Sequence, residues 1–444
     1  MIHSNSMDLL VGYARRDISP SIGDPHMIGC TIERILKPVY VRVICIEEPN
    51  GDEGPFLLAM ADHAGFDKIS DRLAREAMAK ATGVEFERIR INGSHNHTCP
   101  EASRADQQLL DERGLKHVSV QWLNTVDGLL ADAAREAVRC KRPASAWCGS
   151  TPVHGIAANR VIKHPGDDAT MRLGAYRPDD AQMKSSYTEG ALGLIDPDAH
   201  VLCFKGEDGR PIATVVNYAC HVTALGTRGW GVHPDFPGIA MDIIEAETGG
   251  PGFFLQGCGG NVGTGKFSDG SMEAVERMGQ SLGGSVVAAM DALKPCASAP
   301  LHFTSWQERI ALREDLPSAD QLHEQMMQAS ANSLAWQEAS MLRVVSDPEA
   351  ARTCDLFLLE AGDWCLAGMP GESFVEQQLA IRGASPKPFS FVAGYFDMTL
   401  WYIPSYDRIR SGGYEATGNW NYTAPGACEQ LSASVIRRLW GNKC

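Results

Sequence analysis

The sequence predicts an α/β (mixed α+β) chain folded as one continuous domain over residues 1–444, and three observations predict it. Short apolar runs alternate with longer helix-like segments along the whole length. No internal repeat, heptad run or low-complexity linker marks a boundary. The composition, 44% hydrophobic and 21% charged, is that of an ordinary globular protein. A chain of 444 residues is too long for one small core, but it suits one large domain or two intimately packed lobes.

The elements follow in order. Val39, Val41 and Val43 alternate with Tyr40 and Arg42 as in a strand, and Phe56–Met60 is a second, more continuous apolar run. Arg72–Thr82 reads as a helix stopped by Gly83. Ile89 and Ile91 mark a strand that empties into Ser94-His95-Asn96-His97. Further strands are expected at Val201–Phe204, Ile212–Tyr218, Phe253–Gln256 and Leu301–Trp306. Asp355–Leu359 and Trp364–Ala367 read as two arms around a Gly362-Asp363 turn. Helices are expected at Ser271–Leu293, with Ser271 as N-cap, at Ala319–Val345 and over Ser373–Ile381. The polar, Gly/Pro-bearing stretch His164–Asp196 reads as a long loop or lid. Parallel and antiparallel pairings are not distinguished by this pattern.

A formal charge of −15 argues against nucleic acid or an anionic membrane as the main partner, since both select a basic face. A local basic pocket for an acidic small molecule stays compatible with it. The thirteen cysteines are an odd number without CxxC pairs, and Cys45, Cys203 and Cys365 sit in apolar runs. They read as buried thiols of a reducing compartment, not a disulfide framework. The N-terminal apolar run Leu9–Gly12 is far shorter than a signal peptide's core, and no apolar stretch approaches about 18 residues. A cytoplasmic protein acting on a small molecule is expected, with homo-oligomerisation left open.

Chemistry concentrates at a few strand ends. In a strand, residues i and i+2 face one side, so His95 and His97 can enter one cleft; two surface histidines on a loop is the plain alternative. His221 ends the apolar run Val215–Cys220, where a satisfied core histidine is the commoner outcome. Glu372 follows a Pro370-Gly371 turn ahead of a helix-like segment, where a carboxylate can simply cap the helix.

Taken in order, Ser94-His95-Asn96-His97-Thr98-Cys99-Pro100, Asn217-Tyr218-Ala219-Cys220-His221, Asp235-Phe236-Pro237-Gly238, Gln256-Gly257-Cys258-Gly259-Gly260-Asn261, Pro370-Gly371-Glu372, Tyr402 and Gly413-Tyr414-Glu415 resemble the catalytic domain of the neutral/alkaline ceramidase family. The resemblance runs from about Val11 to about Glu415. It implies large mixed β-sheets flanked by helices and a Zn2+ site formed by His95, His221, Glu372 and Tyr402. Two imidazoles and a carboxylate leave an open position, as catalytic zinc sites do. His97 and Tyr414 match residues lining the family's active site, and Asn159-Arg160 resembles a segment whose arginine reaches the substrate. On this basis a metal-activated water attacks an amide or ester carbonyl. His97 moves the proton, and Arg160 fixes a polar group of the substrate. Tyr414 and the backbone N–H groups of Gly257–Gly263, with Gly260 and Asn261 among them, stabilise the oxyanion. Asp62, His63, His233 and Asp235 are candidate supporting residues around the metal, although each is equally read as polar lining or a turn.

The sequence also departs from the family. Counting from Gly260-Asn261, the family's nucleophilic serine falls on Gly263; the adjacent Thr264 is one residue out of place. No counterpart of the family's C-terminal immunoglobulin-like domain is recognised, so ceramide itself is not the expected substrate. Alternatives on the same scaffold are a zinc-dependent lyase, a carbohydrate-active enzyme, or a non-catalytic metal-bound binding protein. Gly260–Lys266 nearly spells a phosphate-binding loop. It continues with Phe267 where that motif requires Ser or Thr.

Overall fold

A computed structural model describes residues 7–27, 30–49, 51–162, 170–226, 231–416 and 420–441. Its centre is a large mixed sheet. The strands run in the spatial order Gly252–Gln256, Pro211–Tyr218, Asp198–Gly206, Arg142–Pro152, Leu9–Asp17, Tyr40–Glu47, Phe56–Ala61, Ile89–Gly93, with Lys294–Pro295 added to Arg142–Pro152. The pairings are antiparallel except at the two ends, where Pro211–Tyr218 runs parallel to Gly252–Gln256 and Phe56–Ala61 parallel to Ile89–Gly93. A second sheet, His302–Arg309, Thr353–Ala361, Trp364–Gly368, Phe389–Ala393, ends likewise in a parallel pair, Trp364–Gly368 with Phe389–Ala393. The Gly362-Asp363 turn joins its two middle strands as expected.

Side-chain alternation separates the two faces of each sheet. Val41, Val43, Leu57 and Ala59 face the helices Lys68–Thr82 and Val120–Arg139 through Ala74, Met78, Leu123 and Val126. Ile44, Phe56 and Leu58 face the second sheet, where Phe56 meets Phe303 and Phe357 at ring separations of 5.2 and 6.1 Å. The other face of that sheet, Leu356, Leu358 and Ala367, packs on the helices Asn332–Ser346 and Ala427–Leu439. The result is two mixed sheets between helical layers.

The two ends of the large sheet come together. The Asn92 side chain accepts from Gln256 N at 3.0 Å and donates to Gly394 O at 2.6 Å, joining three strand ends. Asn217 donates to Leu255 O and Val392 O and accepts from Val392 N, stitching the large sheet to the small one. Both amides are fully buried. Such groups are tolerated only when their hydrogen bonds are made.

Several elements differ from the sequence-based expectations. The segment Ala319–Val345 is two helices, Ala319–Gln328 and Asn332–Ser346, because Arg113 caps the first by donating to Met326 O and Ala329 O. Helix Lys68–Thr82 begins before Arg72, at the Asp67 N-cap. The stretch expected as a loop or lid holds the helix Ala181–Glu189 and the short strand Thr170–Met171; residues 163–169 lie outside the described residues. Helix Val120–Arg139 has no sequence-based counterpart, although it is amphipathic: Trp122, Leu123, Val126 and Leu130 are buried together with Ala131, Ala133, Ala134 and Ala137. Helix Asp235–Thr248 is hidden by Pro237 and Gly238 in its first turn. All described cysteines are unpaired, and Cys45, Cys203 and Cys365 are buried. No described helix is long and apolar enough to cross a membrane.

Between the sheets and the Asn332–Ser346 helix lies a buried ionic cluster. Asp106 accepts from Arg343 Nε at 2.8 Å, Trp336 Nε1 at 3.1 Å and Ser340 Oγ at 2.5 Å. Removing one partner of a buried pair strands the other, so Asp106→Ala should lower stability by about 3–5 kcal/mol in urea unfolding. Nearby, Glu101 is buried with Oε2 unpartnered. Burial, with Asp106 and Asp67 adding, pushes its carboxyl up to about 8. A folded-state pKa above the unfolded value of 4.5 means stability is fully present below 4.5 and is lost as pH rises through 8. The wild-type Tm should therefore fall over that interval relative to Glu101→Gln, with the two proteins converging at the acid end.

Candidate functional site

Three side chains leave the C-terminal ends of strands that each have a parallel neighbour. His95 follows Ile89–Gly93, His221 follows Pro211–Tyr218, and Glu372 follows Trp364–Gly368. The carboxyl ends of such strands are where α/β sheets commonly place ligands. The strand geometry expected for His95-Asn96-His97 does not hold. His95 has φ 60°, so the chain turns there, yet His97 Nε2 still lies 3.1 Å from His95 Nε2.

Each of the two inner imidazoles is aimed by a backbone carbonyl. His95 Nδ1 lies 2.9 Å from Ala64 O and His221 Nδ1 2.6 Å from Gly259 O. A carbonyl only accepts, so Nδ1 carries the hydrogen and Nε2 presents a lone pair. Glu372 Oε2 sits 2.8 Å from His221 Nε2 and 3.3 Å from His95 Nε2. Burial raises the Glu372 carboxyl, but the imidazoles of His95 and His221 outweigh it and hold the group below the usual carboxylate range. Burial, followed by Arg160 and His95, lowers His221 to about 3. A neutral imidazole thus faces an ionised carboxylate with no hydrogen to share, and Glu372 Oε2 is indeed without a hydrogen-bond partner. Convergent lone pairs of this kind fit a bound cation. Two imidazoles and a carboxylate suit zinc. The donor atoms of His95, His97 and His221 also all lie within 4.8 Å of one another.

Tyr402 pairs in register with Glu372 on a short parallel bridge, and its hydroxyl is 3.5 Å from His221 Nε2. It accepts from Arg160 Nη1 at 2.7 Å. Burial keeps the phenol protonated, raising it well above its ordinary value against the pull of Arg160. Arg160 also donates to Gly260 O at 3.3 Å and lies 3.9 Å from Glu415. That arm of the guanidinium is committed to the protein, not free for a substrate as expected. Tyr414 stands 5.9 Å from Tyr402, ring to ring, and is 37% exposed; burial pushes its phenol up to about 12. His97 is half-buried and lowered well below an ordinary imidazole by burial and by His95 and His221.

Other expected roles are corrected. In the loop Gly257–Gly263 the amides of Gly257, Cys258, Gly259, Gly260 and Val262 already donate to protein acceptors, so five of its seven N–H groups are not free to cradle an oxyanion. It buttresses the donors instead: Gly259 O orients His221, and a Cβ on Gly260 would meet Glu372 O at 2.2 Å. Asn261 accepts from Val375 N and donates to Glu376, away from the imidazoles. Thr264 is buried with its hydroxyl 3.3 Å from Thr223. A Cβ on Gly263 would meet nothing nearer than 3.6 Å, the first atom being Arg160 Nε. Lys266 donates to Thr188 O and Gly190 O, which is a tie to the neighbouring segment.

None of the four expected supporting side chains touches a site imidazole. Asp62 pairs with Arg42 at 2.9 Å. His63 and His233 accept through Nδ1 from Gly65 N and Asp235 N, and burial lowers them to about 3 and about 4. They act through their carbonyls: His63 O receives His95 N and His233 O receives the Asn96 side chain. Asp235 accepts from Leu225 N and Phe236 N, and burial pushes it up to about 6.

Two site residues escaped sequence reasoning. Tyr395, at φ 61°, lays its ring 4.5 Å from that of His95, with its hydroxyl buried and unpartnered. Glu415 is fully buried between Arg160 and Arg408, at 3.9 and 3.5 Å. Only its place beside Tyr414 could have drawn notice. The cluster opens on a cavity of about 470 Å³, walled on one side by Leu173, Ala175, Met183 and Tyr187 from the segment expected as a lid, and on another by Trp336, Trp401 and Trp420.

No family model matches the sequence, and no curated protein matches it either. Solved structures do. A neutral ceramidase from Pseudomonas aeruginosa aligns with a TM-score of 0.74 over 97% of this chain and 74% of its own, at 15% identity. A ceramidase complexed with C2 aligns with a TM-score of 0.72 over 98% of this chain and 76% of its own, also at 15% identity. The chain has a neutral-ceramidase-like fold, as the sequence resemblance implied.

The loop's buttressing role separates two glycines. Gly260→Ala should cost about 1–3 kcal/mol in urea unfolding because its Cβ meets backbone, whereas Gly263→Ala should leave the midpoint nearly unchanged. Equal effects would remove the distinction.

Proposed function

We propose that the chain is a zinc-dependent hydrolase that cleaves an amide or ester bond of a small molecule other than ceramide. One observation carries the proposal: the Nε2 atoms of His95 and His221 lie 3.3 and 2.8 Å from the Glu372 carboxylate, each imidazole fixed by a backbone carbonyl. His95, His221 and Glu372 are the residues to hold the ion, with Tyr402 at its edge. Bound there, zinc supplies Lewis acidity, polarising a carbonyl and lowering the pKa of a water to roughly 7. The amide-or-ester class is carried over from the ceramidases that share the fold.

The chain's own residues divide the remaining work. His97 is neutral, half-buried and lines the cavity, and its one ring hydrogen bond is to His95. It is suited to take a proton from the attacking water and deliver it to the leaving group. Tyr414, protonated and lining the same cavity, donates to the developing oxyanion. Arg160 holds the Tyr402 hydroxyl and sets a positive charge beside the reaction centre. Gly263 offers no hydroxyl and the Thr264 hydroxyl is turned to Thr223, so water is the nucleophile.

Elemental analysis should find about one zinc per chain, and chelation should abolish turnover of N-acyl, ester or lactone substrates until zinc is restored. His221→Ala should lose both metal and turnover with its circular dichroism unchanged. His97→Gln should keep the metal while kcat falls by about 10²–10⁴. Full turnover by metal-free protein, or zinc retained by His221→Ala, sinks the proposal.

A further inference from the structure

Beside the polar cluster, three tryptophans line the same cavity. Trp401 and Trp420 have ring centroids 5.2 Å apart at 72°, Trp336 and Trp420 5.3 Å at 57°, and Trp336 and Trp401 5.6 Å at 83°. Rings so inclined make a corner and not a flat channel. The corner is rigid. Trp336 is tied to Asp106 through Nε1 at 3.1 Å and stacked by His117 at 4.6 Å. Trp401 bridges Asn421, which sets Trp420 beside it. The corner is also in register with the polar floor, since Trp401 precedes Tyr402 and its carbonyl accepts from Glu372 N at 2.7 Å.

We infer that this corner is a recognition site for a flat, uncharged aromatic ring carried by the substrate next to its scissile bond. Edge-to-face contact with inclined rings is how aromatic groups pair. Met27, Leu173 and Ala175 complete an apolar lining. A sugar would need donors and acceptors there, but the Trp336 N–H is committed to Asp106 and the Trp401 N–H is buried. A cationic group could use the ring faces, but the Arg160 guanidinium lines the same cavity and opposes it, and among the described lining residues Glu372, within the imidazole cluster, is the only carboxylate. An extended alkyl chain would bury apolar surface there but gain none of the edge-to-face contribution that a ring adds beyond area. Calling the ligand a substrate rests on the hydrolase reading; the ring site itself does not.

The test uses metal-free protein, so that binding is measured without turnover. By calorimetry, N-benzylacetamide should bind about two- to tenfold more tightly than N-heptylacetamide, which has the same number of carbons and no ring. Trp420 is half-buried, so its replacement is the mildest way to open the corner. Trp420→Ala should erase the preference and Trp420→Phe should keep it. The inference is overturned by tighter or equal binding of the heptyl compound, by no binding of either, or by a preference that survives Trp420→Ala. Zinc content and turnover are read separately, which distinguishes a hydrolase without ring preference from a ring-binding protein without turnover.

Discussion

The position of every reactive group depends on where three strands stop, and two buried asparagines decide that. Asn92 ties the end of Ile89–Gly93 to Gln256 and Gly394, and Asn217 ties the end of Pro211–Tyr218 to Leu255 and Val392. His95 lies three residues beyond the first amide, and His221 four beyond the second. An amide buried without partners costs on the order of 1–3 kcal/mol, so any slip of one strand against another leaves several such groups unsatisfied. The register is thereby held to within a hydrogen bond's tolerance, and imidazoles from distant parts of the chain can meet a carboxylate from a third.

Within that frame the charges are arranged with few exits to solvent. Arg160, Arg408, Glu372 and Glu415 are all buried, and the buried Tyr402 hydroxyl stands between Arg160 and His221. Arg160 faces Glu372 electrostatically as well as Glu415 and Tyr402, and these neighbours raise its pKa despite the cost of burial. A guanidinium so held does not titrate, and burial first, with Arg160 second, lowers His221. The imidazole therefore stays neutral, as a metal donor must be. Arg160, expected to clamp the substrate, holds the Tyr402 hydroxyl and reinforces burial in keeping the His221 imidazole neutral.

Much of the fold was legible because period-2 alternation and glycine stops are local signals. Val41 and Val43, Ile89 and Ile91, and the Gly362-Asp363 turn all fall where the expected elements are, although Val39 precedes its strand. The Pro-Gly start of Asp235–Thr248 was not, since Pro237 and Gly238 break the helix-forming pattern in its first turn. At the site, the fold brings His95, His221, Glu372 and Tyr402 within 3.5 Å of a neighbour in the set. The roles expected of Asp62, His63, His233 and the glycine-loop amides were illegible because they depend on which backbone groups are already bonded. Sequence shows that a histidine is present; it does not show that His63 and His233 contribute carbonyls and not rings.

Backbone strain marks the same place. Of the four described non-glycine residues with positive φ, His95, Tyr395 and Trp401 line or adjoin the cluster, and the fourth, Asp235, accepts from Leu225 near the cavity rim. Each such conformation costs about 1–3 kcal/mol and persists only where surrounding bonds over-determine it. Here they do: His95 N is bonded to His63 O, Tyr395 N to Gly371 O, and Trp401 O to Glu372 N. Relaxing any one of these residues to an ordinary conformation would swing its ring out of the cluster. The strain is thus the local cost of bringing an imidazole, a phenol and an indole from chain reversals to one centre, and the dense backbone bonding around them is what the fold supplies to offset it.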